Sequence, residues 1–311
     1  MSSKAQTASK YAANGDKSLV SSDWPLVQAQ DDCNPFPHLP PYQHPKTGLL
    51  SKLPHSVVPY AELTRIDRPA GWLGVYFPFL IGLIYAGCIS GDDEASDPLA
   101  LGSLAIRLIP FSMLLRSAAC TWNDTVDQDF DRRVARTRHR PVARRAVSTN
   151  QRVTYYPQIV LGILCAWPIF FASSAVGISP VRASTIALFG SNLSWSVIND
   201  VFYAFQDIAD DEKAGVKSMS LKFKDVMPLV ASILLLGQVA LLACCGYWAG
   251  FKLVYYTISV FGVFATMSVY VWKVKLQCPE SCGFWFKAQY LLVGSAYLGG
   301  LIGQYLSKSG Y

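Results

Sequence analysis

Apolar runs recur along the chain from residue 71 onward, separated by shorter polar stretches. They fall at 71–90, 99–122, 153–175, 181–205, 227–249, 251–273 and 284–306. Each is close to the ~20 residues that a helix needs to cross ~30 Å of hydrocarbon. The pattern predicts seven membrane-spanning helices in an all-α, polytopic bundle, the arrangement that satisfies every backbone group inside lipid. Two runs are interrupted by polar groups: 99–122 holds Arg107 and Arg116, and 181–205 holds Asn192, Asn199 and Asp200. Charge at membrane depth is costly and usually turns to the bundle interior or an aqueous cavity. These two spans are therefore expected to line a polar pocket.

The segment before the first run reads differently. Eight of the 18 prolines lie between Pro25 and Pro59, which predicts a disordered, Pro-rich cytosolic tail over 1–60 and a transmembrane domain over 61–311. The tail contains no arginine and carries Asp16, Asp23, Asp31 and Asp32, whereas a mitochondrial presequence is Arg-rich and acid-poor. It has no early apolar stretch of signal-peptide type, so the first span is expected to serve as the targeting signal.

Composition agrees with a membrane protein. Of 311 residues 51% are hydrophobic and only 15% charged. The net charge of +6 matters less than its placement. Eight arginines, from Arg132 to Arg152, lie in the 123–152 loop, and Lys213, Lys217, Lys222 and Lys224 lie in the 206–226 loop. Loops on the other side are almost free of positive charge, so the positive-inside rule places the basic loops in the cytosol. Basic residues that border apolar spans in this way argue against nucleic acid as a partner. Five of the eight cysteines (Cys88, Cys120, Cys165, Cys244, Cys245) sit in apolar runs and read as small hydrophobes. Cys278 and Cys282 read as loop or helix-end residues rather than a zinc site.

The candidate chemistry lies in the two basic loops. Asp124, Asp127 and Asp131 follow Asn123 at the end of the second span; at i, i+3 and i+7 they share one helix face. Like charges so placed need a positive partner, and clustered carboxylates suit hard Mg²⁺. Asp207 and Asp211, at i and i+4, end the fourth span. With an even number of crossings between them, both clusters face the cytosol and can converge. A diphosphate bridged by metal ions fits such a pair, and ionisation of an allylic C–O bond would call for a dry, aromatic-lined cavity. Tyr76, Phe77, Phe79, Trp122, Tyr155, Tyr156, Trp167, Trp195, Phe202, Tyr203 and Phe205 could line it, although lipid contact is the commoner use of such residues.

These motifs resemble the UbiA family of intramembrane aromatic prenyltransferases. The first is similar to N-D-x-x-D-x-x-x-D at Asn123, Asp124, Asp127 and Asp131; the second, from Tyr203 to Ser218, is similar to Y-A-x-Q-D-x-x-D-D-x-x-x-G-x-K-S; Arg65 to Gly71 is similar to R-x-D-[KR]-P-x-G. The resemblance spans about residues 60–305. It implies a UbiA-type helical bundle that transfers a prenyl chain from its diphosphate to a phenolic acceptor with Mg²⁺, without an obligate protein partner. Asp124, Asp127, Asp131, Asp207 and Asp211 would then hold the metal and act in catalysis. Asn123, Arg116, Arg138, Lys213, Lys217, Tyr203 and Gln206 would complete the diphosphate site, with Arg116 facing either diphosphate or an acceptor carboxylate. Arg132, Arg133, Arg144 and Arg145 are assigned to topology and lipid headgroups, Asp129 and Asp210 are expected to point away, and Gly299 and Gly303 to serve helix packing.

One departure stands out. The family has nine membrane helices against seven here, and about forty residues, the third and fourth helices, are missing where Arg152 runs into Val153. Loss of a pair preserves sidedness but removes two walls of the pocket. The Pro-rich tail favours a fungal meroterpenoid enzyme of the endoplasmic reticulum or Golgi, transferring a farnesyl-like chain to a phenolic polyketide acid. The alternatives are a mitochondrial 4-hydroxybenzoate polyprenyltransferase of ubiquinone synthesis and an inactive, truncated member that binds isoprenoid lipid.

Overall fold

In a computed structural model, residues 36, 38–68, 70–91, 94, 96–147, 157–215 and 218–308 are described. They fall in two compact units, Met1–Pro40 and Pro41–Tyr311. No strand occurs among the described residues, and the second unit is the expected all-α bundle.

The helices in chain order are α1 (Val58–Leu63), α2 (Ala70–Ile89), α3 (Pro98–Val126), α4 (Gln128–Asp131), α5 (Pro157–Ala166), α6 (Pro168–Ala175), α7 (Ala183–Ala204), α8 (Ile208–Ala214), α9 (Met219–Lys222), α10 (Met227–Ala249), α11 (Leu253–Tyr255), α12 (Phe261–Lys273) and α13 (Pro279–Lys308). A π-helical turn over Tyr256–Val260 joins α11 to α12. All seven expected spans are helical among the described residues: α2, α3, α5 with α6, α7, α10, α11 with α12, and α13. Four stretches are by themselves long and apolar enough to cross a membrane: Gly71–Ile89, Pro98–Val126, Lys224–Ala249 and Leu253–Lys273. The α5–α6 segment is shorter, and α7 and α13 carry the polar groups that the site and the core use.

The centre of the bundle is α7, packed chiefly on α10 and α5. Its buried face, with Leu188, Trp195, Ile198, Val201 and Phe202, meets Ala231, Leu235 and Leu242 of α10, Met267 and Tyr270 of α12, and Val293 and Tyr297 of α13 in one core. Lipid tails are as apolar as these side chains, so close packing and interhelical hydrogen bonds rather than water exclusion hold such helices together. The bonds are present. Ser191 donates to the Gln238 carbonyl at 2.9 Å and lies 2.6 Å from the Tyr297 hydroxyl, to which Gln238 Nε2 donates at 3.1 Å. Asn199 Nδ2 donates to the Tyr290 hydroxyl at 2.7 Å, and its Oδ1 accepts from the Tyr270 hydroxyl at 3.3 Å. Bonds of this kind contribute about 0.6 kcal/mol each on average.

Residues from Pro41 onward belong to the same compact unit as the bundle. Within that unit Tyr42 donates to Glu62 Oε1 at 2.8 Å, and its ring lies under the Arg144 guanidinium at 3.9 Å. Against expectation, Arg107 is exposed on the outer face of α3, its Nη2 reaching Ser103 Oγ at 3.5 Å, so it does not line a polar pocket; Asn192 and Asn199 of α7 are buried as expected. The break expected after Arg152, and Tyr155 and Tyr156 beyond it, lie outside the described residues.

Gly299, Gly300 and Gly303 let α13 approach the 254–259 turn, as expected for a small-residue packing stripe. A methyl group at Gly300 would stand 2.5 Å from the Ser259 backbone nitrogen, whereas one at Gly299 would meet only the Ile258 side chain at 3.2 Å. Gly300→Ala is therefore expected to destabilise the bundle by about 1–3 kcal/mol and Gly299→Ala by clearly less, measured as thermal midpoints in detergent; equal effects would refute this packing.

Candidate active site

Both acidic motifs lie at one end of the bundle, because α5–α6 leaves that end and α7 returns to it. The loop after the first motif joins them. Arg136 Nε donates to Asp207 Oδ1 at 2.9 Å and its Nη1 to the Tyr203 hydroxyl at 3.0 Å, with the guanidinium 5.1 Å from the Tyr203 ring centre. The backbone N–H of Ala135 donates to Asp210 Oδ2 at 3.2 Å. Asp210 thus faces the site and fixes the loop, contrary to the expectation that it points away. Asp129 does point out, paired with Arg132 at 2.8 Å.

The first motif ends α3 and continues in α4. Asp124 is 1% exposed and receives Arg65 Nη2 at 2.6 and 2.9 Å, with Arg140 Nη1 at 3.3 Å. Arg140 also donates to Asp131 Oδ2 at 2.8 Å. Burial lowers the Arg65 pKa, partly offset by Asp124. Burial pushes Asp131 up to about 6, against the pull of Arg140. In the second motif Asp211 is pushed up to about 7, first by burial and then by the charges of Asp207, Asp127 and Asp131, with Arg136 opposing. Four carboxylates from two elements thus share one field. The Asp211 carboxylate, unlike that of Asp207, is not paired with an arginine or lysine among the described residues. α8 ends at Gly215, whose φ of +71° favours glycine.

The other predicted residues are placed as follows. Arg116 meets neither acid cluster: its Nη1 donates to the Arg65 carbonyl at 3.1 Å and its Nη2 to the Arg68 carbonyl at 2.6 Å. Half-buried beside that turn, it clamps the chain between α1 and α2. Asn123 lies half-buried in the last turn of α3. Arg138 Nη1 donates to the Ala135 carbonyl at 2.9 Å. Gln206 bonds the Tyr203 carbonyl at 3.1 Å and lines an open cleft of about 580 Å³ with Glu280, Gly283, Phe284 and Lys287. Lys213 is exposed, and Lys217 lies outside the described residues. Of the arginines assigned to topology, Arg144 instead pairs with Glu62 at 2.6 Å and Arg132 donates to the Ala143 carbonyl at 2.8 Å.

Among the aromatics, Phe77, Phe79, Trp195, Phe202 and Phe205 are buried, while Trp122 and Trp167 are exposed. Sequence reasoning missed Arg65, Arg136 and Arg140 as partners of the acids, and Tyr270, Tyr290 and Tyr297 as core tyrosines. All three arginines lie in the recognised motif flanks, the only signal that sets them apart from their neighbours.

No group of three or more His, Cys, Asp and Glu side chains stands close enough to hold a metal ion among the described residues. The donor set is nonetheless all carboxylate, the chemistry of a hard divalent cation. The acids exceed the arginines that face them, and Asp211 stands in the negative field of three others. The residues fit such an ion once guanidinium groups give up carboxylate oxygens.

A helical membrane bundle with carboxylate clusters facing one another at one end defines the class. The UbiA prenyltransferase family model matches this chain at residues 75–153 and 150–293, and the chain belongs to that family. It is an integral membrane prenyltransferase. Among curated relatives, the prenyltransferase ascA of Acremonium egyptiacum is 32% identical over 75% of this chain and 83% of its own length. The prenyltransferase stbC of Stachybotrys bisbyi is 30% identical over 88% and 95%. The DMOA farnesyltransferase nvfB of Aspergillus novofumigatus is 30% identical over 70% and 81%. No solved structure matches. The family match breaks at 150–153, where the sequence places the missing helices. Three quarters of 311 residues also falls well short of the 283 aligned to ascA, so that relative carries a stretch that faces a gap here.

Between pH about 4 and 7 the native metal-free site retains protons on Asp131 and Asp211 that the unfolded chain has lost. Stability is therefore expected to fall as pH rises through that window. Thermal midpoints in EDTA at pH 5.5 and 7.5 check this, and Asp211→Asn should flatten the dependence. Arg140→Gln, which strips a shared partner from two buried acids, should cost about 3 kcal/mol; Lys213→Ala should change stability by less than about 0.5 kcal/mol.

Proposed function

We propose that this chain catalyses Mg²⁺-dependent transfer of a farnesyl-type chain from its diphosphate to a ring carbon of a phenolic polyketide acid, in a fungal secondary-metabolite route. The observation that carries the reading is the meeting of two Asp motifs across the Arg136–Asp207 contact at one end of the bundle. Similarity to a DMOA farnesyltransferase supports the donor, and the all-carboxylate donor set supports Mg²⁺.

In this reading Asp124, Asp127 and Asp131 from one side and Asp207 and Asp211 from the other hold the metal, with Asn123 beside them. Mg²⁺ bound there supplies electrostatic stabilisation of the departing diphosphate. Arg136, Arg138 and Arg140 on the loop, with Lys213 and Lys217, supply donors to phosphate oxygens. The allylic C–O bond breaks and its electron pair leaves with the diphosphate; the phenol ring carbon ortho or para to the hydroxyl forms the new C–C bond and then loses its proton. The buried aromatic face of Trp195, Phe202 and Phe205 keeps the reacting end of the chain away from water. The cleft beside Gln206 gives the site an opening at the same end of the bundle. We place both motifs on the cytosolic side of the endoplasmic reticulum or Golgi, on the strength of the basic loops.

Microsomes that express the chain, assayed with Mg²⁺, farnesyl diphosphate and a panel of phenolic acids, are expected to yield a prenylated product. Asp124→Ala and Asp207→Ala should each lower the rate by on the order of 100-fold or more, and EDTA should abolish it. An inactive chain beside an active form carrying the missing helices would overturn the reading in favour of a binding protein.

A further inference from the structure

Asp124 is the most deeply buried acid of the candidate site, and it is fully engaged: Arg65 grips both its oxygens and Arg140 approaches one of them. A divalent ion cannot take this carboxylate until a guanidinium leaves. The two arginines are held differently. Arg140 is shared with Asp131 and sits within the loop that links the two motifs. Arg65 comes from outside both motifs, on the turn between α1 and α2, with Ile66, Asp67 and Arg68 exposed beside it.

That turn is a built and strained device. Arg65 has a φ of +56°, a left-handed conformation that non-glycine residues seldom adopt. It is held there on every side. Its backbone nitrogen and Nη1 both donate to the Glu62 carbonyl, at 3.1 and 3.2 Å. Its own carbonyl accepts from Arg116 Nη1. The Glu62 carboxylate is fixed in turn by Tyr42 and Arg144. Four residues, Glu62 and Arg116 directly and Tyr42 and Arg144 through Glu62, thus converge to aim one guanidinium at one carboxylate.

Resting on the metal-dependent reading above, we propose that Arg65 is a displaceable counter-ion, a positioning residue that neutralises Asp124 while the site is empty and withdraws when a divalent cation and diphosphate enter. Glu62, Arg116 and Arg144 set its aim. A guanidinium serves better than a fixed apolar cover because its positive charge offsets the burial of the Asp124 carboxylate and can be exchanged for that of a cation.

The test uses the full chain in detergent, stripped with EDTA, and Mn²⁺ binding followed by electron paramagnetic resonance without diphosphate. Removal of a competitor should strengthen metal binding: Arg65→Ala should bind Mn²⁺ about 10-fold tighter than wild type, and Arg65→Lys, which keeps the charge but loses the fork, by a smaller factor in the same direction. A purely structural Arg65 would lower thermal stability in both variants with no gain in affinity, and that result overturns the proposal. If Arg65→Ala does not fold, Arg65→Lys decides, together with tryptic cleavage of the wild type after Arg65. Mg²⁺ with inorganic pyrophosphate should speed that cleavage several-fold, and protection would count against withdrawal. Wild type that binds no Mn²⁺ overturns the metal reading itself, whereas binding that Asp124→Asn weakens and Arg65 variants leave unchanged overturns this proposal alone.

Discussion

Everything at the working end of this protein depends on how buried carboxylates are neutralised where the helical bundle meets the basic loops. Asp124 and Asp131 are nearly sealed from solvent, and an unpaired buried charge is among the most expensive things a fold can hold. The chain meets that cost with arginines drawn from two separate places: Arg65 on the α1–α2 turn and Arg136 and Arg140 on the loop after α4. These pairings draw residues that are distant in sequence into one layer: Arg65 on Asp124, Arg136 on Asp207, Glu62 on Arg144.

That layer is continuous with the bundle below it. α7 carries Trp195, Asn199 and Phe202 in the core and then, within one turn of its end, Tyr203, which accepts from Arg136. The Asn199 bridge to Tyr270 and Tyr290 fixes α12 and α13 under the same motif. A shift of α7 along its axis would therefore be felt at Asp207 directly, and through Arg136 at the loop that carries the first motif.

The architecture was legible because hydropathy and the distribution of arginine and lysine report what lipid and membrane potential demand. All seven runs became helices, and the shared end of the two motifs followed from counting crossings. The individual pairings were not legible. Eight arginines crowd the 132–152 segment, and an irregular loop has no periodicity to show which of them turns inward, so nothing in the sequence singles out Arg136 and Arg140 as partners of Asp207, Asp124 and Asp131. Asp210, expected to point away, is drawn in by a backbone N–H of that same loop. Proline and polarity mark residues 41–57 as irregular backbone, and irregular backbone can still be tied down by a few side chains such as Tyr42.

The way the charged layer at the end of the bundle is stitched gives the molecule two independent sensitivities. Among helices surrounded by lipid, stability follows from packing and a few sheltered hydrogen bonds, which dissolved ions scarcely reach. The layer above is joined largely by charge pairs of which several are partly open to solvent, as at Arg136 and Asp207, and such pairs weaken as added salt shortens the Debye length from about 8 Å at physiological ionic strength toward about 3 Å at 1 M. Salt should therefore loosen the loop that joins the motifs while the bundle stays intact, and the choice of lipid or detergent should act on the bundle first.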